Sequence, residues 1–70
     1  MSINLQYNYA QIDLETYQCV SVFTSSYEIP LPDYIEIPTM DGRYYEKYYN
    51  PADGLFYYEP EYITVFDPEA

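Results

Sequence analysis

The stretch Arg43-Tyr44-Tyr45-Glu46-Lys47-Tyr48-Tyr49-Asn50-Pro51-Ala52-Asp53-Gly54-Leu55-Phe56-Tyr57-Tyr58 decides how this chain is read. Two aromatic runs flank a short segment built from turn-forming residues. Pro51 presets the φ of a turn, and Gly54 supplies a left-handed position that closes a longer hairpin loop. The stretch therefore predicts a β-hairpin over 43–58, turning at Asn50 to Gly54.

The rest of the chain follows the same period. Residues 3–12 alternate, with Ile3, Leu5, Tyr7 and Tyr9 on one side and Asn4, Gln6 and Asn8 on the other. Asp13-Leu14-Glu15-Thr16 reads as a turn that lacks its usual glycine. Tyr17 to Thr24 alternates again, with Cys19, Ser21 and Phe23 on one face and Val20, Val22 and Thr24 on the other, so a second hairpin is expected. Pro30 and Pro32 make 29–33 an extended connection and bar it from a central strand. Tyr34 to Ile37 forms a short strand ended by Pro38. Met40-Asp41-Gly42 turns the chain, and Tyr62 to Phe66 offers an edge strand. Residues 67–70 are expected to fray.

No segment carries a helical period. The expected fold is all-β: one domain over 1–70, a small antiparallel meander of about five or six short strands. An open sheet and a small barrel both remain compatible with it. The expected buried set is Val20, Val22, Ile35, Ile37, Leu55 and Phe56. Leu55 and Phe56 are adjacent, so a regular strand can turn only one of them inward.

Seventy residues bury only about 60% of the unfolded surface, which leaves room for one layer of core and none for a deep cleft. Twelve Asp and Glu face only Arg43 and Lys47, with no histidine, for a formal charge of −10. Such a chain is repelled by nucleic acid and by anionic membranes, so direct binding to either is not expected. Its electrostatic complement is a protein with a basic surface. A globule of this length is about 28 Å across, over which duplex DNA presents about sixteen charges. Imitation of nucleic acid is therefore one reading of the acidity; simple solubility is the other.

Cys19 stands alone, so no intrachain disulfide is available. Met1-Ser2-Ile3 does not open a secretory signal, and the apolar runs are too short for a membrane helix. Host cytoplasm is the expected location, with the virion as the alternative. Catalysis lacks its parts: no histidine, and no serine or cysteine beside a base. Cys19 reads as a packed, inert thiol. The pairs Asp13 with Glu15 and Glu59 with Glu61 match no calcium loop, and a chain this short hardly builds a glycosidase cleft. Solvated loop charge is their plainer reading. No catalytic residue, cofactor or metal is assigned.

The tyrosines divide. Tyr7, Tyr9, Tyr17 and Tyr34 are explained as residues that suit a half-buried pleated surface. The doublets Tyr44-Tyr45, Tyr48-Tyr49 and Tyr57-Tyr58 put one phenol on each side of the hairpin. Outward tyrosines give rigid contact area, as in antibody paratopes. The partner-binding residues expected on this ground are Tyr45, Glu46, Tyr49, Tyr58, Glu59 and Glu61.

The run Lys47 to Tyr58, with its Tyr-Tyr-Asn-Pro-Ala-Asp-Gly core, resembles a segment of small uncharacterised proteins of phages and prophages of Gram-positive bacteria. The opening Tyr7-Asn8-Tyr9-Ala10-Gln11-Ile12-Asp13-Leu14-Glu15-Thr16 is similar to their starts. Those proteins are encoded near tail and lysis genes. The resemblance covers about a third of the chain and implies a phage origin and a non-enzymatic role. Small proteins encoded near those genes include virion components and inhibitors of host defences, anti-CRISPR proteins among them. The expected role is therefore an inhibitor or adaptor on a basic, nucleic-acid-binding surface of a partner protein or, as the alternative, a small structural or assembly component of a phage tail. The resemblance implies no site residues.

Overall fold

A computed structural model of the protein describes residues 6–68; Ile3, Leu5, Glu69 and Ala70 lie outside them. The fold is all-β and open. Five strands run in order: β1 (Tyr7–Ile12), β2 (Cys19–Ser25), β3 (Tyr34–Ile37), β4 (Tyr48–Asn50) and β5 (Leu55–Tyr57). They form two antiparallel sheets, one ordered β2-β1-β3 and the other β4-β5.

β1 and β2 make the first hairpin, pairing Tyr7 with Ser25 and Tyr9 with Phe23. Its turn is held by Asp13, whose carboxylate accepts from the Glu15 N–H at 2.8 Å. The position where glycine was missing is filled by Tyr17, at φ 61°. The chain then leaves along the proline segment and returns on the far side of β1, where β3 pairs Ala10 with Ile35 and Asn8 with Ile37. β1 is thus central, although it is first among the described strands.

A bulge corrects the expected facing of β2. Gln11 pairs with Ser21 but Ile12 pairs with Cys19, so Val20 is the extra residue. A bulge opposes two residues to one and shifts the facing by one position. Cys19 therefore joins Val22 on the inner side, and Val20, expected in the core, is 47% exposed.

The second hairpin is present with shorter arms than expected. Its strands are 48–50 and 55–57, and Gly54 has φ 76°. The Gly54 N–H donates to the Asn50 carbonyl at 2.8 Å, and the carboxamide and carboxylate of Asn50 and Asp53 accept from the N–H groups of Ala52 and Leu55. Residues 43–47 are not a strand. Asp41 caps a single 3₁₀ turn, Gly42–Tyr44, and Glu46 sits at φ 70°, which breaks any extended run. Register resolves the Leu55-Phe56 ambiguity: Phe56 pairs with Tyr49 on the inner face and Leu55 stays exposed. Tyr62 to Phe66 supplies only a bridge, Tyr57 with Val65. Pro68 is tied down, its carbonyl accepting from Arg43 at 2.6 Å.

The two sheets are stitched by main-chain bonds. Glu46 N–H donates to the Cys19 carbonyl (2.9 Å), Cys19 N–H to Lys47 (2.7 Å) and Tyr49 N–H to Tyr17 (2.9 Å). Between them lies one core of Ala10, Ile12, Cys19, Ile37, Tyr44, Phe56 and Phe66, with Tyr17, Val22, Ile35 and Tyr49 packed against it. Of the expected buried set, Ile37 and Phe56 are buried while Val22 and Ile35 line the margin. Tyr44 stands edge-on to both Phe56 (4.9 Å) and Phe66 (5.0 Å), a geometry that adds about 0.5–1.5 kcal/mol per pair beyond burial.

Candidate functional site

The hairpin half carries the six expected contact residues, and it divides them. Tyr45, Glu46, Tyr58 and Glu61 are exposed. Tyr49 is half-buried with its ring 5.1 Å from Phe56, so it belongs to the core margin. Glu59 is occupied at home: its two carboxylate oxygens accept from the Thr64 N–H and hydroxyl, both at 2.7 Å. The Thr64 hydroxyl, then its N–H, holds the Glu59 pKa below the ordinary value. The doublets behave unequally as well. Tyr44 and Tyr57 are buried beside exposed Tyr45 and Tyr58, whereas Tyr48 and Tyr49 are both half-buried.

Lys47 joins the two parts of this surface. Its ammonium lies 5.0 Å from the centre of the Tyr58 ring and 5.1 Å from that of Phe66. Tyr58 also stands edge-on to Phe66 at 5.6 Å. The turn bearing Tyr45 and Glu46 is thereby placed next to Tyr58.

The charges show a simple division. Arg43 grips the Asp41 carboxylate through Nε (3.1 Å to each oxygen) and one terminal nitrogen (2.7 Å). This pair lowers the pKa of Asp41 and raises that of Arg43. Lys47 is spent on aromatic rings. Both cations are thus engaged within the chain, while Glu15, Glu28, Glu36, Glu46 and Glu61 are exposed. Those carboxylates come from the first turn, the crossover, β3 and both ends of the hairpin half. The molecule that carries them is long and flat, 46 × 27 × 19 Å.

A second surface was hidden in the sequence. Tyr7, Tyr9, Phe23 and Tyr34 share the face of the three-stranded sheet that points away from the core. Tyr9 lies 6.0 Å from Phe23 and 6.1 Å from Tyr34, and Phe23 stands edge-on to Tyr34 at 5.6 Å. Tyr7 stacks on Tyr9 at 6.5 Å. The crossover segment closes over the middle, where the Ile29 N–H donates to the Tyr9 hydroxyl at 2.8 Å. Tyr9 is buried as a result, but its three neighbours remain half-exposed. These tyrosines read singly as strand filler; only the order β2-β1-β3 gathers them.

Cys19 is buried, its thiol 3.3 Å from the Ser21 carbonyl, and burial pushes its pKa up. A thiol so placed is a poor nucleophile. Among the described residues no three His, Cys, Asp or Glu side chains are grouped to hold a metal ion. Compared with known proteins, the chain matches no family model, no curated protein and no solved structure.

Proposed function

We propose that this protein is a non-enzymatic, acidic binding module of phage origin that occupies a basic, nucleic-acid-binding surface of a partner protein in the host cytoplasm. The observation that carries the reading is the internal use of both cations. Arg43 is exposed but neutralised by its pair with Asp41, and Lys47 is laid over Tyr58 and Phe66, so carboxylates dominate the exposed charge. Long-range attraction then acts with one sign, which speeds encounter with a basic surface. Over 46 Å a DNA duplex presents about 27 charges, against a net ten here. The module thus covers a basic patch as a sparse acidic ligand rather than reproducing a duplex at full density. Exposed Tyr45 and Tyr58, with Glu46 and Glu61, supply the contact.

The test begins with affinity capture from infected host cells, followed by association rates across salt. Screening shortens from about 10 Å at 0.1 M to about 3 Å at 1 M, so association should slow steeply, and nucleic acid should compete. Glu46→Gln with Glu61→Gln should weaken binding through the on-rate. Salt-insensitive binding without such competition would end this reading.

The aromatic outer face of the first sheet favours a second reading, a small structural or assembly component of a phage tail in the virion. Contacts of that kind are short-ranged. They would lose affinity through faster dissociation on Tyr34→Ala, Tyr45→Ala or Tyr58→Ala, with little response to salt.

A further inference from the structure

Every sheet edge among the described residues is blunted except one. β4 is covered on its outer side by Tyr17 and Gln18, through the Gln18–Tyr48 bridge and the Tyr49 N–H to Tyr17 carbonyl bond. β5 is covered by the segment bearing Thr64 to Phe66. β3 is four residues long, lies between Pro32 and Pro38, and carries Glu36. Prolines, charges and brevity are the usual guards of an exposed edge. β2 is guarded only at its start, by the bulge at Val20 and by Glu46 and Lys47, which bond the main chain of Cys19.

The direction of the free groups follows from the ladder. Ile12 N–H donates to Asp33 beside β3, and both main-chain groups of Cys19 bond the 46–47 segment. In an antiparallel pair the bonded residues alternate. Ser21, Phe23 and Ser25 therefore turn their main-chain groups toward β1, and Val22 and Thr24 turn theirs outward. The side-chain bond from Thr24 to Asn8 at 3.0 Å agrees, since closely opposed side chains mark a pair that does not share main-chain bonds.

We propose that the free edge of β2, Val20 to Ser25, is a self-association edge that pairs antiparallel with the same strand of a second copy about Phe23. Charge selects this occupant. Residues 16–27 contain no ionisable acid or base except Cys19 and the phenols of Tyr17 and Tyr27, in a chain of net charge −10. A basic partner finds no carboxylate on this strip, whereas an equally acidic copy meets its least repulsion there. The pairing is self-complementary. Val22 exchanges two main-chain bonds with Thr24 of the other copy, and its symmetry mate does the same. The two Phe23 rings meet across the axis and continue the ladder of Tyr34, Tyr9 and Phe23. An edge of six residues falls short of a standard interface, so the pair is weak and reversible.

The test is sedimentation equilibrium of the whole chain against salt, with residue-resolved amide exchange. Self-association should tighten with salt, by about tenfold from 0.1 to 1 M, for charges of −10 held about 25 Å apart. This trend is opposite in sign to that expected for capture of a basic partner, so the two ideas fail separately. The Val22 and Thr24 amides should gain protection with concentration, while those of Ser21 and Phe23 are protected throughout. Thr24→Pro removes one outward donor and should leave a monomer with an unchanged circular dichroism spectrum. If that variant fails to fold, the wild-type exchange pattern still decides. A monomer at millimolar concentration in 1 M salt would overturn the proposal. So would a dimer whose Val22 and Thr24 amides exchange freely, or protection of those amides only by a lysine-rich peptide.

Discussion

In the three-stranded sheet, aromatic rings stand in register over neighbouring strands: Tyr9 opposite Phe23, with Tyr34 edge-on to both. In the hairpin half, Tyr44 comes from a 3₁₀ turn and stands edge-on to both Phe56 of β5 and Phe66 of an irregular tail. The first arrangement is a consequence of pairing and would persist wherever those strands paired. The second depends on loops arriving from separate parts of the chain. Aromatic side chains decorate one half of this molecule and hold the other half together. The difference predicts unequal sensitivity to the same kind of truncation.

Phe56→Ala is the most severe break. It removes the ring on which Tyr44 and Tyr49 both lean and should cost about 3–5 kcal/mol, read by urea denaturation. Its exposed neighbour is the control: Leu55→Ala should stay within about 0.5 kcal/mol. Equal losses at the two positions would reverse the assigned facing. On the other half, Val22→Ala with Ile37→Ala probes the margin and the core together. The pair should lower the melting temperature clearly, because Ile37 is buried while Val22 only borders the core. Tyr9→Phe asks less. It deletes the acceptor for Ile29 and should cost about 1 kcal/mol, with faster exchange confined to the crossover.

Acid gives a local test. The folded pKa of Glu59 is depressed by Thr64, so its contribution is complete above the unfolded value near 4.3. It is lost as the pH falls through the lower folded value. The Thr64 amide should then exchange faster in the 58–64 loop, and Glu59→Gln should remove most of that pH dependence. Glu46→Gly is the one change expected not to destabilise. Relief of a left-handed residue, about 1–2 kcal/mol, is offset by about 0.5–1 kcal/mol of extra chain entropy. Stability should be unchanged or slightly raised.

Fold class, both hairpins and the proline crossover are legible because alternation and turn chemistry are local properties. What escaped depends on distance along the chain. The bulge at Val20 is invisible to a period-two reading, which carries the same facing through it. Tyr44 to Lys47 reads as part of a hairpin arm because its aromatic run flanks the 50–54 turn, but Asp41 captures the Arg43 N–H and guanidinium and winds the chain instead. The facing of Leu55 and Phe56 awaited the register with Tyr49. At the expected site, exposure held for Tyr45, Glu46, Tyr58 and Glu61. Tyr49 and Glu59 are engaged by Phe56 and Thr64, partners that no local pattern names. Tyr34 reaches Tyr9 only because β3 chose the far side of β1.

That choice also has a cost in time. β1 leaves the ribosome ahead of β3, its partner on one side, and the pairs Gln11–Tyr34 and Asn8–Ile37 must wait for more than twenty further residues. At about 5–20 residues per second, β1 spends roughly 1–5 s with one edge unclaimed. In that interval the inner residues Ala10 and Ile12 lack Ile37, and Tyr9 lacks Tyr34. The nascent chain is then most open to capture by another strand, and its neighbouring acidic residues, Asp13 and Glu15, are the nearest charges that keep two such chains apart.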